Sequence, residues 1–298
     1  MQITNRYQLP DAYVNWAKAD AAERSNMDTG DISVTELLSP IRQTVLKKKH
    51  YEDISVDVSD MIKQLTGIGV HSQLSKHADP SATVEERIGL TFNIEGYPTV
   101  RITGQYDHYK AGVLTDYKTS SIFKYKNGVP LDVQFQLNLY AYLKTITSGK
   151  PVHSLQVIVQ FNDWMASRAG TNHYPSCPVE SYDVELWSVE EQRQFLEMRL
   201  AKYLAGKTKL PECSDSERWL RDEKYAVMIP EKEKAKRLFD TAEEATNWIA
   251  DPDMKFTKTI KDSLYVQHRA GTYMRCEKYC EASRFCTQHN TQLKEALE

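Results

Sequence analysis

Between residues 87 and 119 the chain reads as three strand-like runs, "RIGLTFNIE", "TVRITGQYD" and "GVLTDYKT", punctuated by Gly96-Tyr97-Pro98 and by Lys110-Ala111. A change to strand pattern here limits the fold more than any other feature. A two-residue turn at Lys110-Ala111 would set Asp107 opposite Leu114, and residues 107, 114, 116 and 118 would then share one face. The third run poses a problem. Val113 and Leu114 suit a buried strand, yet Asp116 and Lys118 follow, two apart and directed to one side. Burying two such ions costs several kcal/mol each unless partners compensate.

The flanking segments predict helices. "ISVTELLSPIRQTVLKKK" reads as a capped helix broken near Pro40. "DVSDMIKQLTGIGVHSQLSKH" carries a helical stripe of Met61, Ile62, Leu65, Ile68 and Val70, with His71 late in it. "DVQFQLNLYAYLKTI" sets Phe135, Leu139, Tyr142 and Leu143 on another. "SLQVIVQFN" and "YDVELWS" read as two more strands, and Ser188 with Glu191 makes a capping box for a helix to about Leu204 that Gly206 ends. The first thirty residues are polar and yield no clear element. Beyond Pro211, "YAVMI", "RLFD" and a helix capped by Thr241 and Glu244 form a small accessory unit. The expectation is an α/β protein with a central mixed sheet flanked by helices over residues 1–210, and an accessory unit over 211–298.

The formal charge of -3 says little: a nucleic-acid binder would need its basic residues clustered. The local candidates, "KKKH" at 47–50 and Lys232 to Arg237, read more readily as solvated helix faces. No run approaches the ~18 apolar residues that span a bilayer, and the N-terminus lacks the basic-then-apolar order of a signal peptide. Five cysteines is an odd number, and three fall near the C-terminus, which favours a reducing compartment and thiolate metal ligands over a disulfide framework. A cytoplasmic protein without membrane contact is the expectation. No GxxxxGK[ST] occurs, so the chain carries no Walker-type ATPase.

Asp107, Asp116 and Lys118 suggest a chemistry. Cutting a phosphodiester needs an activated water, neutralised phosphate charge and help for the departing oxygen. A hard divalent cation on carboxylates supplies all three, and a neighbouring lysine orients the water or stabilises the anionic transition state. His71 could add a nitrogen ligand, which leaves Mn²⁺ beside Mg²⁺ as the cation. Singly these signals are weak: a DxK on a strand is usually a surface ion pair, and a helical histidine is usually structural.

Their order is more specific. "GIGVH" (67–71), "GQYD" (104–107), "TDYKT" (115–119) and "QLNLY" (136–140) together resemble the PD-(D/E)XK nuclease superfamily, in its RecB-type branch, which includes CRISPR-associated nucleases and many phage exonucleases. The resemblance covers residues 60–145 by motif and implies the restriction-endonuclease-like fold. It assigns metal binding to His71, Asp107, Asp116 and the Tyr117 carbonyl, and the catalytic lysine to Lys118. It assigns DNA contact to Gln136 and Tyr140, which share a helical face. Glu86 is a weaker candidate, on the strand before the first acid. The activity implied is a Mg²⁺- or Mn²⁺-dependent deoxyribonuclease, an exonuclease of recombination or repair of the kind phages encode, working alone or with a separate helicase or single-strand annealing protein. The alternatives are a non-catalytic DNA-binding or assembly module on a decayed nuclease fold, which the complete acid and lysine set opposes, and an unrelated zinc-stabilised interaction protein.

"CEKYCEASRFC" spaces Cys276, Cys280 and Cys286 by four and six, a density typical of zinc or iron–sulfur ligands. Cys213 is the expected fourth ligand, with His289 as the rival that would favour zinc; Cys177 reads as a bystander. RecB-type nucleases commonly carry an iron–sulfur staple, in which an upstream cysteine joins a C-terminal trio. Here Ser39 stands where that cysteine is usual, so Cys213 would substitute, and iron–sulfur and zinc both stay open. Either would tie residue 213 to residues 276–286, closing a loop.

Overall fold

A computed structural model describes residues 1–25, 31–171, 174–251 and 256–295. The chain divides into two compact units, Met1–Pro211 and Glu212–Glu298.

The first unit runs β1 (Gln2–Thr4), α1 (Asp11–Ser25), β2 (Ile32–Ser33), α2 (Val34–Leu38), α3 (Ile41–Lys49), β3 (Ser55–Asp57), α4 (Val58–Lys76), β4 (Thr83–Phe92), β5 (Val100–Lys110), β6 (Val113–Ser120), α5 (Ile122–Tyr125), α6 (Leu131–Ser148), β7 (Ser154–Phe161), β8 (Val179–Val184) and α7 (Val189–Thr208). The polar N-terminal segment, which gave no clear element in sequence, thus supplies β1 and α1. The break at Pro40 is real: a Ser33–Glu36 capping box opens α2, and α3 begins after the proline.

A central mixed sheet of six strands is flanked by helices, α6 with α7 and α4 with α1. β4–β5 and β5–β6 are antiparallel, β6–β7 is parallel through the α6 crossover, and β8 closes the far edge antiparallel to β7. The β5–β6 turn is Ala111-Gly112, both at positive φ (50° and 84°), and not Lys110-Ala111. Two successive left-handed residues match the strand twist of a tight hairpin, and glycine takes the second without strain. Tyr109, not Asp107, therefore lies opposite Leu114.

The edges of β5 decide where a site can form. Ile102 and Thr103 pair with β4 on one edge and with the short parallel β2 on the other. His108 and Tyr109 pair with β4, and His108 to Lys110 pair, on that second edge, with β6. β2 and β6 thus share one edge of β5 and leave residues 104–107 of it open between them.

α6 lies against β4, β5, β6 and β7. It is buried on all sides from Leu137 to Lys144 and ends at Gly149, left-handed at φ 66°. Its polar members are satisfied: Asn138 donates to the Gln134 and Glu185 carbonyls and accepts the Trp187 N–H at 2.9 Å. A smaller core of Ala17, Val58, Met61 and Leu65 joins α1 to α4. α7 begins at the expected Ser188–Glu191 capping box but continues through Gly206 to Thr208. Gly206 serves contact instead, since a Cβ there would fall 2.5 Å from Ile41.

The second unit contains α8 (Asp215–Arg218), β9 (Leu220–Arg221), β10 (Lys224–Met228), β11 (Arg237–Phe239), α9 (Ala242–Ala250), α10 (Lys258–Ser263), β12 (Tyr265–Arg269), β13 (Thr272–Tyr273), α11 (Met274–Lys278) and α12 (Thr287–Glu295). β10 lies between β11 and β12, all antiparallel, with α9 packed on them and capped by Thr241 and Glu244. No described helix is long and apolar enough to cross a membrane.

Candidate active site

The site occupies the open edge of β5. Past His108↔Thr115 the β5–β6 ladder stops, although both strands continue. Asp107 stands one step beyond, and its Oδ2 accepts the Tyr117 N–H at 2.6 Å. A side-chain carboxylate thus takes the place of a ladder carbonyl, which fixes Asp107 between the parting strands.

α4 reaches this gap because residue 67 is glycine: a Cβ there would meet the Thr119 hydroxyl at 3.2 Å. One turn on, His71 directs Nδ1 to Asp107 Oδ1 at 3.4 Å. The hydrogen bond to Asp107 raises the His71 pKa against the opposing effect of burial, with the charges of Asp107 and Asp116 assisting. The Tyr117 ring stands edge-on to His71 with centroids 6.3 Å apart.

Glu85 is the member that sequence reasoning missed. It is left-handed, at φ 49°, and drops out of the β4–β5 ladder between Val84↔His108 and Glu86↔Tyr106. Its carboxylate accepts from Gln105 Nε2 at 2.7 Å and from the Ser75 hydroxyl of α4 at 3.0 Å. Ligand atoms of His71, Glu85 and Asp107 all lie within 4.8 Å of one another, the set of that kind among the described residues. Glu86, the expected contributor, points elsewhere: it accepts from Lys144 Nζ at 2.6 Å and from the Tyr106 hydroxyl. Adjacent acids on a strand project to different sides, and a left-handed backbone at one of them leaves no mark in the sequence.

Asp116 and Lys118 are side by side, with Lys118 Nζ 2.7 Å from Asp116 Oδ2. Asp116 is 3% exposed, and that Oδ2 has no hydrogen bond of good geometry. Burial pushes its pKa up, with the charge of Lys118 opposing and that of Asp107 assisting. Burial alone would lower Lys118, but the charges of Asp116 and Asp107 outweigh it and hold its pKa above the usual range. Asp116 stays outside the three-residue set, its carboxylate directed at the lysine.

Gln136 and Tyr140 of α6 do meet this pair. Lys118 Nζ donates to Gln136 Oε1 at 3.2 Å, and the Gln136 amide donates to the Tyr140 hydroxyl at 2.9 Å and to Thr35 Oγ1 at 3.2 Å. Gly104 allows the approach, since a Cβ on it would fall 2.6 Å from the Tyr140 ring. Thr35 had no signal in sequence, because β2 and α2 enter the site only through the sheet.

The arrangement gathers oxygen and imidazole donors beside a buried carboxylate that lacks a full set of partners. This donor set could hold a divalent cation, whose charge would offset the burial of Asp107 and Asp116.

In the second unit, Cys276 and Cys286 lie close enough that their charges add to burial in raising the Cys280 thiol pKa. Arg218 Nε donates to Cys276 Sγ at 3.5 Å, and Gln288 brackets Cys213, accepting its N–H and donating to its carbonyl, each at 2.9 Å. His289 follows on α12, with its pKa lowered by burial and by Arg218. The four cysteines do not form a set of three within 4.8 Å. Cys177 is exposed in the first unit.

No family model matches the chain, and no curated protein does. Among solved structures, SSO0001 is similar over 72% of this chain and 93% of its own, at 16% identity and a TM-score of 0.48. A protein from Eubacterium rectale described as a candidate exonuclease covers 71% of this chain and 89% of its own, at 13% identity and a TM-score of 0.31.

Proposed function

We propose that the chain is a divalent-metal-dependent nuclease of the PD-(D/E)XK type, in its RecB-like branch, and that it hydrolyses DNA. The supporting observation is the open edge of β5, where His71, Glu85 and Asp107 converge beside the Asp116–Lys118 pair. Side chains from the "GIGVH", "GQYD", "TDYKT" and "QLNLY" segments come together at this edge, which supports the reading.

His71, Glu85 and Asp107 would hold the cation, with Asp116 completing the ligand set once its carboxylate turns from Lys118. The bound cation would supply phosphate-charge neutralisation and a more acidic water. Lys118 is positioned by Asp116 and Gln136 and stays protonated, which suits it to orient a water by donation and to face the charge that builds on the phosphate. Gln136 and Tyr140 would present amide and hydroxyl to the strand being cut. Exonuclease action in recombination or repair, a phage origin and a helicase or annealing partner belong to the same reading.

The cysteines of the second unit are assigned an iron–sulfur cluster or zinc, held by Cys213, Cys276, Cys280 and Cys286. It would act by closing that segment of chain and lowering the entropy of its unfolded state.

Digestion of end-labelled DNA with Mg²⁺ or Mn²⁺ tests the reading. Wild type should cleave, while folded Asp116→Ala should not and folded Lys118→Ala should cleave far more slowly. Absence of cleavage by wild type with either metal would overturn it.

A further inference from the structure

The second unit buries a cation that the proposed chemistry leaves unused. Arg218 ends α8, which opens at a Ser214–Glu217 capping box directly after Cys213. Its side chain is buried, at 2% exposure. The guanidinium lies 3.3 Å from the Tyr273 ring centroid, donates from Nη2 to Gln292 Oε1, and donates from Nε to Cys276 Sγ at 3.5 Å. Among the described residues no carboxylate pairs with it. Asp215 and Glu217, its neighbours in the chain, accept instead from the Tyr273 hydroxyl and from the Ser214 N–H.

Burying a charge is costly unless an opposite charge compensates, and ring, amide and thiol partners do not cancel a guanidinium. The surrounding chain nevertheless holds Arg218 toward the cysteines. Leu220 of β9 pairs with Tyr273 of β13, which sets α8 beside α11 and its Cys276. Gln288 and Gln292 lie one turn apart on α12. Gln288 brackets the Cys213 backbone, and Gln292 accepts from Arg218. One helix face thus fixes Cys213 and the cation together.

We propose that Arg218 is the countercharge of a thiolate-held metal group in the second unit, and that it positions Cys276 to ligate that group. The inference rests on the assignment of Cys213, Cys276, Cys280 and Cys286 to the group, and not on nuclease action. Four thiolates outweigh the charge of Zn²⁺, three thiolates with a neutral His289 still do, and a thiolate-held iron–sulfur group is likewise anionic. Cys286 is buried and Cys213, Cys276 and Cys280 are half-buried, so such a group needs a cation beside it. Arg218 is the one buried charged side chain of that unit among the described residues. A donor to a ligand sulfur also fixes the direction of the ligand, as partners behind metal ligands do.

The test uses the full chain purified without oxygen, with iron, zinc and acid-labile sulfide measured per chain. Arg218→Gln should lose the bound metal to EDTA about 10–100-fold more readily than wild type, while Arg218→Lys, which keeps the charge, recovers most of that loss. Melting separates a countercharge from a packing role. Arg218→Gln should melt below wild type with metal bound, yet level with it or above once both are stripped, because stripped wild type buries an unpaired cation. Equal metal retention by wild type and Arg218→Gln would overturn the proposal. So would Arg218→Lys failing as Arg218→Gln does, or an equal fall in melting temperature with and without metal. Wild type free of iron and zinc would overturn it together with the cysteine assignment. Failure of wild type to cleave DNA, with Arg218-dependent metal retention preserved, would overturn the nuclease and keep the countercharge.

Discussion

The Asp107 carboxylate accepts the Tyr117 N–H at 2.6 Å across the gap where the β5–β6 ladder has ended. One group thereby closes a backbone hydrogen bond and faces His71 with its other oxygen. Asp107→Ala should lose metal-dependent cleavage and destabilise the fold by about 1–3 kcal/mol, because the Tyr117 N–H loses its partner. Asp107→Asn keeps an acceptor and should fold near normally while losing cleavage and the stabilisation by Mn²⁺. Melting curves with and without Mn²⁺, beside end-labelled digestion, separate the two effects.

Lys118 should be dispensable for metal and essential for rate. Lys118→Ala should cut cleavage by about 10²–10⁴-fold yet keep the Mn²⁺-induced rise in melting temperature. Loss of that rise would place Lys118 in the metal site instead.

Gly104 makes room for Tyr140. Gly104→Ala should cost about 1–3 kcal/mol through overpacking, since the new methyl would fall 2.6 Å from the ring. By shifting Tyr140 and the Gln136 bonded to it, the change should also slow cleavage. Urea denaturation and single-turnover rates read both.

The Glu86–Lys144 pair gives a pH signature independent of the site. Lys144, 3% exposed in its side chain, holds the Glu86 pKa below its usual value, with the Tyr106 hydroxyl assisting. A carboxylate with a depressed folded pKa stabilises above its unfolded value of 4.5, and that stability is lost as pH falls through the lower folded value. Glu86→Gln should therefore destabilise at pH 7, by less than the loss of a fully buried pair, because the Glu86 side chain is 38% exposed and screened by solvent. The difference from wild type should shrink at the acid end, below pH 4.5. A pH series of denaturation midpoints for both proteins checks the sign.

If the proposed cysteine ligands are right, Cys280→Ala should abolish iron or zinc content in the second unit and lower its resistance to proteolysis, with the Met1–Pro211 unit unaffected. Metal analysis and limited proteolysis read this, and unchanged metal content would remove Cys280 as a ligand.

Several features were legible in the chain alone, because they depend on near neighbours. The capping boxes at Ser188 and Thr241, the break at Pro40, the three sequential strands and the proximity of Asp116 to Lys118 all follow from local spacing. The rest depended on register and backbone sign. Moving the turn by one residue, to Ala111-Gly112, changed what stands opposite Leu114. A left-handed backbone at Glu85 selected it over Glu86, and β2 brought Thr35 to Gln136. Those choices were made by packing between segments far apart in sequence, where a glycine at 67 or 104 lets two elements touch. Sequence periodicity sets which side chains an element offers; only the assembled sheet decides which of them meet.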